Sequence, residues 1–131
     1  MATNRVFLLG RLTRHPELQF VGEKKTPVCR FRIAVNEPYR DRKTGELKET
    51  TSFPMLELWG ENAKKAAERY AKGDLVLVEG RLRTDFWEND NGDRRERVFV
   101  RVDSIRKLAA RKTTEGEETV EVSEEISDTE E

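Results

Sequence analysis

Only one stretch of this sequence carries the period of a helix, and that leaves little choice of fold. In ENAKKAAERYAKG (61–73), Ala63, Ala66, Ala67 and Tyr70 fall at i, i+3, i+4 and i+7, with Gly73 placed as the C-cap. Its apolar stripe is mostly alanine, so the helix suits a small opening rather than a core of its own. The segments around it read as strands. NRVFLLGRL (4–12) is rich in strand formers, and Gly10 marks a bulge or bend. VCRFRIAV (28–35) sets Cys29, Phe31, Ile33 and Val35 inward and Arg30 and Arg32 outward. SFPMLELWG (52–60) places Leu56 and Leu58 against Phe53, Met55, Glu57 and Trp59, and the glutamate marks that second face as the wet one. Leu75 to Trp87 forms a fourth strand, joined through ENDNGD to ERVFVRVDSI (96–105), where Val98, Val100 and Val102 point inward and Arg97, Phe99 and Arg101 outward. Between the first two strands lie the turn TRHPE, a short LQFV piece and a charged turn, and residues 36–50 read as a long protruding loop or loose hairpin.

Three strands, a short helix and two strands is the order of the OB-fold. That is an all-β, five-stranded, partly open barrel with one short helix between strands three and four, whose strand-2 and strand-3 face and long loops bind oligonucleotides. The 131 residues suit one such domain over 1–108, followed by an acidic tail over 109–131 that reads as disordered. All 25 Lys and Arg lie in residues 1–112, against 17 Asp and Glu, while residues 113–131 hold nine acids and no base. A basic body with an acidic appendage fits a polyanion binder whose tail competes for its own basic face. The alternative for the tail is an added strand through Val120, Val122 and Ile126.

The absence of a long apolar run argues against a membrane span, and a start as strand-like as RVFLLG leaves no room for a cleavable leader, so a cytoplasmic protein is expected. The single cysteine, Cys29, sits in an alternating strand as a buried core residue, and His15 is the lone histidine, so no metal or other cofactor is expected. Phosphate-loop, GxSxG and HExxH motifs are missing, which counts against an enzyme.

The exposed faces carry something more specific. In the fourth strand Arg81, Arg83, Asp85 and Trp87 point one way and Leu82, Thr84 and Phe86 the other, so the tryptophan stands among charges. Tyr39 lies in the loop with Arg40, Arg42 and Lys43; Phe53 and Trp59 share the outer face of the third strand with Met55, read as an adaptable filler beside the binding face; Arg32 lies outward on the second strand. Rings beside cations are what a single-stranded nucleic acid requires, because phosphates attract the basic groups and unstacked bases lie on the rings. Duplex DNA hides those base faces. Phe99 is a fifth, weaker candidate ring.

The motifs NRVFLLGRLTRHPEL, YRDRKTGELKETTSF and WGENAKKAAERYAKGDLVLVEGRLRTDFW, with the Asn-Gly hairpin after them, resemble the bacterial single-stranded DNA-binding protein family over residues 4 to 108. The resemblance implies base stacking at Tyr39, Phe53, Trp59 and Trp87, a homotetramer that wraps single-stranded DNA, and a non-enzymatic role in replication, recombination and repair. It also implies that replication and repair proteins meet the acidic tail. There the chain departs from the family pattern, with no glycine-, glutamine- and proline-rich linker and ISDTEE in place of the usual tip ending in Pro-Phe. The competing readings are an OB-fold primosome or phage accessory protein acting through protein contacts, and a carboxylate-dependent nuclease.

Overall fold

The computed structural model describes residues 1–110 and 126–127. In chain order the elements are β1 (Val6–Leu12), β2 (Glu17–Val21), β3 (Thr26–Arg40), β4 (Leu47–Ser52), β5 (Met55–Trp59), α1 (Glu61–Arg69), β6 (Leu75–Glu88), β7 (Arg94–Ala109) and β8 (Ile126–Ser127). Five of them close into a ring. β1 pairs with β6, β6 with β7, β7 with β5 and β5 with β3, and β3 returns to β1 through Arg11↔Ala34 and Leu12↔Ile33. All these pairings are antiparallel except β5 with β7, which is parallel at Leu56↔Val100 and Glu57↔Arg101. This is the five-stranded OB-fold ring that the order of segments predicts.

Alternation explains the core. Phe31 and Ile33 from β3, Leu56 and Leu58 from β5, Val76 and Val78 from β6, and Val102 and Ile105 from β7 are all buried in one cluster. The helix closes one side of it with Ala63 and Ala66, residues small enough for its backbone to approach β3 so closely that the Cys29 thiol donates to the Ala63 carbonyl at 3.2 Å. Cys29 is buried as expected, and burial pushes its thiol up to about 11. Tyr70, also buried, donates its hydroxyl to the Ile105 carbonyl at 3.3 Å.

Several boundaries differ from the sequence reading. Tyr70, not Gly73, is the helix C-cap: its backbone is extended, its N–H still reaches the Ala66 carbonyl, and Gly73 lies in the following turn, bonded to Leu12. The third strand starts at Met55 rather than Ser52, because Pro54 offers no N–H to a ladder. Of the two readings of residues 36–50, loop or loose hairpin, the structure takes the hairpin: β3 continues to Arg40 and pairs with β4 down to Arg40↔Leu47. Gly10 is not a bulge. β1 pairs through it without a register shift, and glycine is needed because a Cβ would collide with the Ala34 carbonyl oxygen where β3 crosses. The shifts lie instead in the β6–β7 ladder, at Leu75/Val76 and at Glu79/Gly80, and at the second a Cβ on Gly80 would meet the Arg101 carbonyl.

Two hairpins reach beyond the ring, β3–β4 and the outer half of β6–β7. Residues 81–88 are exposed on both faces. Val98, read as inward, is 52% exposed for the same reason: past the ring, the inward face has nothing to pack against. No helix among the described residues is long and apolar enough to cross a membrane.

The segment read as tail from residue 109 begins in strand: Ala109 ends β7, buried and paired with Leu75. Beyond Ala110 only Ile126–Ser127 is described, lying antiparallel to β7 at Ile105↔Ile126 and Ser104↔Ser127. For these two residues the structure takes the added-strand alternative. Val120 and Val122, and the reading of residues 111–125 and 128–131 as disordered, lie outside the described residues.

Candidate nucleic-acid interface

The strand register lines up a row of charged residues across four strands on the outer side of the ring. Arg30 of β3 stands opposite Glu57 of β5, Glu57 opposite Arg101 of β7, and Arg101 opposite Arg81 of β6. Residues directly opposite share a face, so these four belong to one surface. Two residues along each strand, the same surface carries Arg32 opposite Met55 and Arg83 opposite Phe99, and farther out come Asp85 opposite Arg97 and Trp87 opposite Arg95. The fourth-strand residues Arg81, Arg83 and Trp87 and the third-strand residues Met55 and Trp59 thus come together on a face rich in arginine.

The centre of this face corrects the sequence reading. Glu57 is 2% exposed, not wet. Its Oε2 accepts from Arg30 Nε and from an Arg97 terminal nitrogen, each at 2.9 Å, and its Oε1 accepts from Trp59 Nε1 at 2.7 Å. Burial pushes the Glu57 carboxyl up, but the hydrogen bonds from Arg30, Arg97 and Trp59 and the charge of Arg97 outweigh it and hold the group below the usual carboxylate range. Arg97 also donates to Asp85 at 2.8 Å; burial opposes its charge, but its two carboxylate partners raise its pKa above the ordinary arginine value. The Arg97 guanidinium lies over the Phe99 ring, 4.2 Å from its centroid, and Phe99 is 5% exposed. Phe99 is therefore not a surface ring.

The four principal aromatics fall into two groups. Tyr39, Phe53 and Trp87 are 47%, 52% and 46% exposed. Tyr39 is on the β3–β4 hairpin opposite Lys48, Phe53 is at the junction of β4 and β5, and Trp87 is near the end of the β6–β7 hairpin. Trp59 is half-buried, tied by its N–H to Glu57, with the Arg101 guanidinium 5.2 Å from its ring centroid. The cations divide similarly. Arg32 donates to the Phe53 carbonyl at 2.5 Å, Arg81 contacts Asp103 at 3.3 Å, and Arg40 donates to the Gly45 carbonyl at 2.7 Å. Arg42 and Lys43 are exposed in a turn built on Asp41, whose carboxylate accepts from the Lys43 and Thr44 backbones. The hydrogen bond from the Lys48 ammonium, followed by those two backbone bonds, lowers the Asp41 pKa. A cavity of about 200 Å³ beside Met55 is walled by Arg14, Arg30 and Arg32.

Reading the sequence placed Arg30, Arg97 and Arg101 outward but gave them no part in the site, and it missed Glu57. The available signal was one acid among apolar residues on a strand whose neighbours carry outward arginines. No group of three or more His, Cys, Asp or Glu able to hold a metal ion occurs among the described residues.

An OB-fold ring with a basic, ring-bearing outer face and two projecting hairpins defines a nucleic-acid-binding class of protein. Comparison with known proteins specifies the family. The family model of the single-strand binding protein family matches residues 3–108, and the chain belongs to that family. It is 36% identical over 128 residues, 94% of this chain and 85% of the relative, to a single-stranded DNA-binding protein of Aquifex aeolicus (strain VF5). Among solved structures it resembles the Plasmodium falciparum SSB complex with ssDNA, with a TM-score of 0.68 and 28% identity, covering 79% of this chain and 89% of the other.

Proposed function

We propose that this protein binds single-stranded DNA without sequence preference, sequestering exposed strands in replication, recombination and repair, and does so without catalytic turnover. The observation that carries this reading is the register-aligned arginine face with exposed rings on the hairpins beside it. Bases stack on Tyr39, Phe53 and Trp87, and on the part of Trp59 left open by Arg101. Arg32, Arg40, Arg42, Lys43, Arg81 and Arg83 meet phosphates. Stacking contributes roughly 1–3 kcal/mol per base whatever the base. The family membership, the Aquifex relative's name and the DNA in the Plasmodium structure all support the ligand.

Titration with dT oligomers tests the reading. Saturating oligomer should quench most of the emission of Trp59 and Trp87, and affinity should fall with salt on a log–log slope of roughly −0.7 per phosphate contact. Binding that leaves emission or salt response flat would refute the assigned face.

The chain is further proposed to act as a homotetramer in the cytoplasm. Val6 and Leu8 pack against the core, but Phe7 and Leu9 on the opposite face of β1, with Leu77 of β6 opposite Leu9, are exposed and apolar. Beyond its long pairing with β6, β1 meets β3 only at its last two residues. Both features leave surface for a second copy. A monomer mass by light scattering at micromolar concentration would remove this part of the proposal.

A further inference from the structure

Glu57 is out of place on a surface meant for phosphates. A carboxylate there costs affinity through repulsion, and its burial costs stability unless its lone pairs are used. The structure shows what uses them. One carboxylate joins three strands: Arg30 from β3, Trp59 from β5 itself and Arg97 from β7 all donate to it, at 2.9, 2.7 and 2.9 Å. Two of the three donors are cations that a phosphate would also seek, and the third is the indole N–H of a candidate stacking ring.

Resting on the single-stranded DNA reading above, we infer that Glu57 is a positioning residue for the ligand. It fixes the plane of the Trp59 ring and holds Arg30 and Arg97 against the protein, so that the centre of the face binds by an oriented ring and its rim binds by charge. The ring is held at two places, its N–H by Glu57 and its face by Arg101. A ring fixed before the base arrives loses less rotamer freedom on binding. The arginines are held in the same way: Arg97 divides its donors between Glu57 and Asp85 and covers Phe99, while Arg30 also reaches Gln19 at 3.3 Å. Guanidiniums paired in this way have little counter-anion to release when a phosphate arrives.

The opposed effects of charge and position give the test its signature. In a Trp87→Phe background, where Trp59 alone reports, Glu57→Gln keeps the side-chain shape and removes the charge. Its one amide oxygen serves either Trp59 or an arginine, and its amide hydrogens oppose the guanidinium donors. The salt slope for dT oligomers should steepen by about 0.7, equal to one added phosphate contact. The variant should bind more tightly than its parent at 0.05 M salt and severalfold more weakly at 0.5 M, with diminished quenching of Trp59. Asp85→Asn is the comparator. It removes a like charge from the other partner of Arg97 without touching Trp59, so it should steepen the slope and leave the quenching of Trp59 intact.

If Glu57→Gln matches Asp85→Asn in every readout, Glu57 is a charge and nothing more. If it lowers the melting temperature but leaves slope and quenching unchanged, its role is structural. Either result overturns the inference. The native protein supplies a measurement that needs no variant: the Trp59 indole proton should exchange with solvent more slowly than that of Trp87, with and without oligomer, and equal rates would also overturn it. Failure of the native chain to bind dT oligomers would instead refute the parent reading, so the two are separable.

Discussion

The outer face over the ring and the two hairpins beyond it carry similar residues under different physics. Over the ring, Trp59 is half-buried, bonded to a carboxylate and covered by a guanidinium. On the hairpins, Tyr39 and Trp87 stand nearly half exposed on strands with no layer beneath them. The ring supplies a scaffold whose stability rests on buried apolar side chains. The hairpins add reach, and their conformation rests on backbone ladders and turns such as Asn89–Asp93, where Gly92 has φ +82°. Mutations should accordingly divide, with stability lost on the ring and affinity lost on the arms.

The largest expected effect is on the ring. Leu58, 1% exposed, lies in the core cluster, so Leu58→Ala should lower unfolding free energy by about 2–5 kcal/mol in a denaturant titration. A loss under 1 kcal/mol would mean that the ring is not where stability resides.

Next in size, Trp87→Ala should weaken oligomer binding by about 1–3 kcal/mol, the value of one stacked base. Because the side chain is exposed, unfolding should change by no more than about 0.5 kcal/mol. Equal losses in both measurements would erase the distinction between arm and ring.

The smallest effect sharpens the comparison through pH. A carboxylate whose folded pKa is depressed contributes stability that is fully present above its unfolded value and lost as pH falls through the folded one. For Glu57 that window begins near an ordinary glutamate value of about 4.3 and extends below it. Melting temperature should therefore decline below roughly pH 4, and Glu57→Gln should flatten part of that decline. A Glu57→Gln profile parallel to the native one would show that the carboxylate contributes nothing through its charge.

The amino-acid sequence by itself determined the order of strands and helix, the inward residues of β3 and the places of the four candidate rings. Those follow from local periodicity: Phe31 and Ile33 alternate with Arg30 and Arg32 whatever lies across from them, and the one helical stripe admits one helix. The same periodicity failed where a residue's surroundings come from elsewhere in the chain. Val98 alternates like a core residue but extends past the ring, and Phe99 alternates like a surface residue but is roofed by Arg97. Glu57 reads as a wet residue on polarity alone. Only the tertiary structure decided otherwise, because Arg30 and Arg97, 27 and 40 residues away, arrive on neighbouring strands with the donors that make a buried carboxylate tolerable. Periodicity is a property of one segment, whereas the environment of an ion is set by the strands that register beside it.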